Sequence, residues 1–223
     1  MIVLFHALAL AAPPYEHTFP AGEKTLDLSA TKGTLTIHTG GSAISIRGTH
    51  EGDASMCHLK TSTDHGASAA YKENGSSSVP RSCVTDMEVT VPPGTGVHVQ
   101  LGQGTVDVQV DGAFTGTIGQ GDVKGQVGGS VNLDVGQGNV ALGGLKAPVE
   151  VKVSQGNAAL VFDKAPEGEI LVTVATGGVY VDLPDGSVVD ARVPSGVSIP
   201  HAQKTTAPTK LMIHRVKGEI RIE

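Results

Sequence analysis

The chain has 223 residues, of which 39% are apolar and 17% are charged, and this balance excludes a largely disordered protein. Its 30 glycines follow no three-residue period, which excludes collagen and predicts many tight turns between short strands. The net charge of −6 is spread along the chain without a basic patch. Neither a nucleic acid nor an anionic membrane surface is therefore an expected partner.

The first twelve residues, MIVLFHALALAA, form an apolar segment that is too short to cross a bilayer and has the length of a signal-peptide core. Ala9 and Ala11 fit the pattern of a cleavage site, which predicts a signal peptide over residues 1–11 and one mature domain over residues 12–223. No Lys or Arg precedes the apolar segment, and a buried first strand is the alternative. We expect an exported protein, in the periplasm or at the cell surface, with no membrane span.

The next part of the chain alternates apolar and polar residues in short runs, three of whose joins carry glycine. It is expected to supply the first turns of the fold. The predicted strands are Tyr15 to Phe19, Leu26 to Leu28, Leu35 to Ile37 and Ile44 to Ile46.

Cys57 and Cys83 are the two cysteines of the chain, and in an oxidising compartment such a pair most simply forms one disulfide. The segment between them is polar and rich in serine, so a disulfide-closed loop insertion is expected at about residues 51–86. A metal site that adds His58 and His65, with His50 as a further candidate ligand, is the alternative, but these spacings match no compact ligand motif. We expect neither a metal nor a cofactor.

From residue 101 the chain repeats a Gly-Gln-Gly corner between runs that alternate valine or leucine with polar residues. The central glutamines lie 17, 17 and 18 residues apart, and Ser154 replaces the first glycine in the fourth copy. Looser corners follow at Gly178 and Gly218. The corner residues of the four closer copies are Gly102, Gln103, Gly104, Gly119, Gln120, Gly121, Gly136, Gln137, Gly138, Gln155 and Gly156.

This period favours an all-β solenoid in which each turn of about 17 residues lies on the previous one and their strands pair in parallel. Equivalent residues would then lie above one another, valine over valine in a narrow core and glutamine over glutamine in an amide ladder. An antiparallel β-sandwich or meander is the alternative, since glycine also marks hairpin turns. Either way the ends of the fold must be capped, because open strand edges invite association.

The segments HTFPAGEKTLDLSATKGTLTIHTGGSAISIRG and MEVTVPPGTGVHVQLGQGTVDVQV resemble the bacterial putative-adhesin β-solenoid family, a domain family of unknown function in exported and envelope proteins. Its pattern is a Pro-Gly turn before a strand and then glycine corners at regular intervals. The matching residues here are Pro92, Pro93, Gly94, Val97, Val99, Gly104, Val106 and Val108. The resemblance implies a solenoid with a structural repeat and no catalytic residues.

An enzyme of the β-helix class that acts on polysaccharides would need paired acids or a base beside a cation-binding cleft. The candidate acids are Asp107, Asp111, Asp122 and Asp134. Asp107 and Asp122 are out of phase with each other, and Asp111 follows a turn pattern in which Asp is common for conformational reasons. The chain also lacks tryptophan, so a sugar-stacking platform is not evident.

The sequence therefore predicts a non-catalytic adhesion or interaction module of the bacterial cell envelope, whose partner is an envelope protein or a glycan. A self-assembling structural solenoid, as in the bactofilin-like polymers, with association through the ends, is the second interpretation. The polysaccharide-active enzyme is the third.

Overall fold

The computed structural model describes residues 15–51, 57–64, 66–73, 84–195 and 197–223. All regular structure in this part of the chain is β-strand, in one large mixed sheet. The strands are β1 (Tyr15–Thr18), β2 (Thr25–Thr39), β3 (Ser45–Glu51), β4 (Cys57–Ser62), β5 (Ala67–Glu73), β6 (Val84–Val91), β7 (Gly96–Val110), β8 (Phe114–Val127), β9 (Val131–Gln137), β10 (Val140–Leu145), β11 (Val149–Gln155), β12 (Ala158–Phe162), β13 (Gly168–Thr176), β14 (Val179–Asp182), β15 (Val188–Arg192), β16 (Ala202–Gln203), β17 (Thr209–Lys217) and β18 (Ile220–Ile222).

Two of the sequence-based predictions fall outside the described residues. The predicted signal peptide, residues 1–11, lies in the first of the segments left out, and Cys83 lies in another. The disulfide between Cys57 and Cys83 and the cleavage after Ala11 therefore stay predictions.

The strands pair laterally in two series, which we call series A and series B. The long strands β2, β7 and β8 contribute their first halves to series A and their second halves to series B. Series A has the order β4, β5, β2, β7, β8, β9, β11, β13, β17, β15, β16. Series B has the order β1, β3, β6, β2, β7, β8, β10, β12, β14, β18.

Within the repeat, neighbouring strands are parallel and equivalent residues face one another. Gln103 pairs with Gln120, Gln120 with Gln137 and Gln137 with Gln155. The same register continues to Thr176 and then to Lys217 in the looser copies. A residue and its equivalent one copy later are thus lateral neighbours in the sheet, as the 17-residue period predicts.

The glycine after each glutamine has a positive φ and lies directly against the backbone of the copy before it. At Gly121, φ is 146°, and an added Cβ would lie 1.6 Å from the carbonyl oxygen of Gly104. The fifth corner differs from the prediction by one residue, because Gly177 and not Gly178 has the positive φ and lies against Gly156. Because residues 177 and 178 are both glycine, the sequence did not determine which of them forms the corner.

A second set of close approaches lies at the start of each copy. An added Cβ at Gly112 would lie 2.1 Å from the carbonyl oxygen of Thr95, and one at Gly129 would lie 2.4 Å from the carbonyl carbon of Gly112. The preceding turn is closed by a hydrogen bond from the Thr95 N–H to the Pro92 carbonyl (3.2 Å), with Gly94 at φ 75°.

The core consists of the inward residues of both series, which form one continuous hydrophobic cluster. Because alternate side chains of a strand point to opposite faces, the valine-polar alternation in each copy buries every second residue. The register then places equivalent apolar residues of successive copies beside one another along the core. One buried row of series A is Val97, Phe114, Val131, Val149, Ile170 and Leu211.

The N-terminal flank is less regular than predicted. The predicted strands at Leu26 to Leu28 and Leu35 to Ile37 belong to one strand, β2, while β1 and β3 are antiparallel to their neighbours. The expected loop at about residues 51–86 contains a hairpin of β4 and β5, and β5 pairs in parallel with β2. These strands continue the sheet beyond the repeat.

The C-terminal flank contains a crossover. β17 lies between β13 and β15, so the last strand of series A in sequence is not the last in space. Val193, Val197 and Ile199 follow β15 and pack against the core cluster. This apolar segment covers part of the core at that end.

Candidate functional site

The predicted corner glutamines form an exposed row along the line where series A meets series B. Gln103, Gln120, Gln137 and Gln155 are exposed, and the Gln120 side-chain amide donates to Gln137 Oε1 at 3.2 Å. The amide ladder expected from the sequence is present at this one step in the described structure. The row offers amide donors and acceptors to solvent and has no ionisable group of its own.

A better-formed ladder lies one row away, at the residue that follows each corner glycine. Asp122 Oδ1 accepts hydrogen bonds from the backbone N–H (2.8 Å) and side-chain amide (3.0 Å) of Asn139. Asn139 Oδ1 accepts the equivalent pair from Asn157 (3.2 and 2.9 Å), and Asn157 Oδ1 accepts from the Gly178 N–H at 2.8 Å. These side chains bind one copy of the repeat to the next.

Asn139→Ala should therefore lower the free energy of unfolding by about 1–2 kcal/mol, because it removes several inter-copy hydrogen bonds at a partly solvated site. The matched control is Asn132→Ala, an exposed asparagine whose side chain makes no hydrogen bond in the described structure. Chemical denaturation measures both. Equal stabilities for the two variants would show that the ladder contributes nothing.

The other three candidate acids, Asp107, Asp111 and Asp134, lie apart from one another. Asp107 forms an ion pair with Lys124 (3.2 Å) on the outer face of series B. Asp111 accepts from the backbone N–H of Gly94 at 2.8 Å and thus caps the turn before β7. Asp134 lies on series A, where its register neighbour is Lys152. No two of these acids are brought together across one depression, as a glycosidase would need.

Tyr180, Arg221 and Glu223 form an exposed polar cluster on series B that sequence analysis missed. The Tyr180 hydroxyl donates to Glu223 Oε2 at 2.7 Å, the Arg221 guanidinium pairs with the same carboxylate, and it lies 5.9 Å from the Tyr180 ring centroid. The hydrogen bond from Tyr180, and then that from Arg221, hold the pKa of Glu223 below its ordinary value. The hydrogen bond to Glu223 raises the pKa of Tyr180.

Tyr180→Phe should raise the pKa of Glu223 toward its ordinary value, because the larger of its two stabilising hydrogen bonds is lost. In the unchanged protein the cluster contributes stability above the ordinary carboxylate pKa and loses it as the pH falls through the lowered pKa. A carbon-detected NMR titration of the Glu223 side chain measures the shift. An unchanged titration in the variant would contradict the hydrogen bond.

A polar depression lies beside the ends of β7 and β8 and is lined by residues from several copies. Gln109 and Gln126 are register neighbours on its floor, and Asp111, Lys146 and Asp163 are among its other lining residues. The sequence does not indicate this depression, because its residues come from strand ends and turns of different copies. Its charges are mixed, which suits hydrogen bonding to a neutral polar ligand more than binding an ion.

Nothing in the described residues resembles a metal centre, since His, Cys, Asp and Glu nowhere form a group of three that could hold an ion. His98, on the outer face of series A, hydrogen-bonds Thr115 Oγ1 through Nδ1 at 2.8 Å. The side chains of Cys57, His58, His65 and Cys83, which the sequence offered as an alternative metal site, lie outside the described part. That alternative stays a prediction.

Comparison with known proteins gives no family for this chain: neither a family model nor a curated protein matches it. Among solved structures it is similar to a putative cell adhesion protein from Clostridium sporogenes, with 14% identity, a TM-score of 0.40 and coverage of 94% of this chain and 98% of that one. It is also similar to a putative adhesin from Bacteroides fragilis, with 15% identity, a TM-score of 0.44 and coverage of 94% of this chain and 97% of that one. A putative lipid binding protein from Parabacteroides distasonis has 9% identity, a TM-score of 0.35 and coverage of 94% of this chain and 97% of its own. Identities and TM-scores this low establish no function.

No helix that could span a membrane is found among the residues that the structure describes.

Proposed function

We propose that this chain is an exported β-solenoid that acts as a non-catalytic adhesion or interaction module in the bacterial cell envelope. The parallel pairing of equivalent residues across four copies supports the solenoid over an antiparallel sandwich. The predicted signal peptide and disulfide support export.

The non-catalytic assignment rests on three of the candidate acids, because each of them is bound to a different partner within the fold. Asp107 is bound to Lys124, Asp111 caps a turn and Asp122 holds Asn139. Each of these carboxylates already accepts from a neighbouring copy of the repeat or from its turn. Their role is thus to join copies, which leaves recognition by exposed surface as the function that the fold best supports.

Two surfaces are available for recognition: the outer faces of the two series and the region of about residues 51–86. That region contains the hairpin of β4 and β5, which extends series A beyond the repeat. Lys60 is exposed on β4 and accessible to a partner. Because this hairpin lies outside the repeat, at the edge of a rigid scaffold, we infer that it carries the contact with an envelope protein or glycan.

A photo-crosslinking amino acid at position 60, introduced into the protein in intact cells, tests this assignment. The expected result is a discrete crosslinked species that contains an envelope protein or a glycan. The matched control is the same amino acid at position 164, where Lys164 is exposed after β12. Equal crosslinking from both positions, or none from position 60, would remove the hairpin as the contact surface.

A further inference from the structure

Series B has two ends, and the strand at each end pairs with a single neighbouring strand. In the described residues β1 pairs with β3 alone, and β18 pairs with β14 alone. A strand edge of this kind presents unpaired N–H and C=O groups that can pair with another chain. The direction and phase of these groups decide what can bind.

At β18 the unpaired groups belong to the inward residues. The Val179 N–H donates to the Glu219 carbonyl (2.8 Å), and the Glu223 N–H donates to the Val181 carbonyl (3.0 Å). Since residues of a strand alternate between its two neighbours, Arg221 also faces β14. Ile220 and Ile222 therefore direct their backbone groups away from β14.

At β1 the unpaired groups belong to the outward residues. The Phe19 N–H donates to the Ile44 carbonyl at 2.9 Å, which makes Phe19 and, by alternation, His17 positions that hydrogen-bond toward β3 and its extension. Glu16 and Thr18 therefore direct their backbone groups away from β3.

The two edges also run in the same direction. β3 is antiparallel to both β1 and β6, and β6 is parallel to β2, so β1 runs parallel to β2. Every later strand of series B, up to β18, is parallel to β2 as well. A β1 strand laid on β18 would thus continue the parallel order.

The phase matches that of the existing steps of series B. From β8 to β10 the Val123 N–H of an inward residue donates to the carbonyl of outward Asn139 (2.8 Å), and the steps to β12, β14 and β18 repeat this arrangement. In each step the earlier strand bonds through inward residues and the later strand through outward ones. The edges of β18 and β1 offer these same two sets.

We propose that a second copy of this chain docks head-to-tail, its β1 pairing in parallel with β18 of the first. In the register that extends series B, the Ile222 N–H donates to the Glu16 carbonyl of the second copy, and the Thr18 N–H of the second copy donates to the Ile222 carbonyl. Glu16 then lies opposite Arg221, and His17 lies opposite Ile222.

Side-chain chemistry agrees with this register. Glu16 and Arg221 are both exposed, with side-chain accessibilities of 66% and 64%, and carry opposite charges. Tyr15 and Ile220 are only partly buried and would cover one another at the end of the core.

Because the two edges are different surfaces, the contact is heterologous and builds open chains rather than closed dimers. The hairpin of β4 and β5 lies at the same end of the fold as β1. The pairing of β1 with β18 does not depend on recognition at that hairpin, so either proposal can fail without the other.

Sedimentation velocity of the purified protein over a wide concentration series tests the proposal. Thr18→Pro removes one outward N–H from an exposed edge position and should raise the dissociation constant by about tenfold or more, whereas the control Thr18→Ala keeps the N–H and should assemble normally. Glu16→Arg and Arg221→Glu should each weaken assembly, and the double exchange should restore it. Thermal unfolding checks that each variant is folded.

A mixture of two variants, each with one edge impaired, tests the head-to-tail arrangement. Thr18→Pro keeps an intact β18 edge and Arg221→Glu keeps an intact β1 edge, so an equimolar mixture should form heterodimers and stop there. A protein that stays monomeric at all concentrations overturns the proposal. So does assembly that Thr18→Pro leaves unchanged, or a double exchange that fails to restore association lost in both single variants.

Discussion

Gly121→Ala is expected to lower the free energy of unfolding by about 3 kcal/mol or more, or to prevent folding. Two costs add at this position, because φ is 146° and an added Cβ would lie 1.6 Å from the Gly104 carbonyl oxygen. The contact is with backbone, so relief requires moving two neighbouring copies apart. That movement would disturb the parallel hydrogen bonds on both sides of Gly121.

Gly143→Ala is the matched control for this prediction. Gly143 also belongs to the repeat region, but it has no positive φ, and an added Cβ would meet no atom within 4 Å. Its effect should stay within about 0.5 kcal/mol. Chemical denaturation of both variants compares them, and similar stabilities would contradict the close stacking of the corners.

Leu133→Ala should lower the free energy of unfolding by about 2–5 kcal/mol. Leu133 is fully buried on β9, and its register neighbours are Gly116 and Val151. Because Gly116 has no side chain, the leucine fills the space beside it, and an added Cβ at Gly116 would lie 3.3 Å from Leu133 Cδ2. Truncation therefore leaves a cavity that the smaller neighbours cannot fill.

Asp134→Ala, one residue further along β9, is the control because Asp134 is exposed. It should change stability by no more than about 0.5 kcal/mol. Thermal and chemical unfolding distinguish the two variants. A small loss for Leu133→Ala would mean that this part of the core is loosely packed.

The repeat was predictable from the sequence because each residue is in contact with its own equivalent. The spacing of Gln103, Gln120, Gln137 and Gln155 reflects lateral pairing, and the alternation of valine with polar residues reflects burial of one face. Both signals are local or strictly periodic. The inward positions of Val106, Val123 and Val140 agree with the same alternation.

The flanks were not predictable in the same way, since their pairings follow no period. β6 passes to the outer side of β2, and β17 lies between β13 and β15, so strands adjacent in sequence are separated in space. The hairpin of β4 and β5 was hidden because its strands are rich in small and polar residues, with little of the apolar alternation that marks the repeat.

Parts of the candidate surface needed three-dimensional information. Tyr180 and Glu223 are 43 residues apart and meet because β14 and β18 are neighbours, and nothing in either segment indicates the contact. In the sequence, Asp122, Asn139 and Asn157 each directly follow a corner glycine, which is a recurrence of turn-forming residues. Its inter-copy hydrogen bonds became evident when register placed each side chain beside the next backbone N–H.

Nuclear Overhauser effects in the isotope-labelled protein test whether the repeat forms parallel, in-register strands. Such strands should give contacts between backbone protons of residues 17 or 18 apart, such as Val123 with Val140 and Val140 with Ala158, in the parallel pattern. Strong Hα–Hα contacts between oppositely directed strands within residues 101–158 would contradict it and favour an antiparallel sandwich.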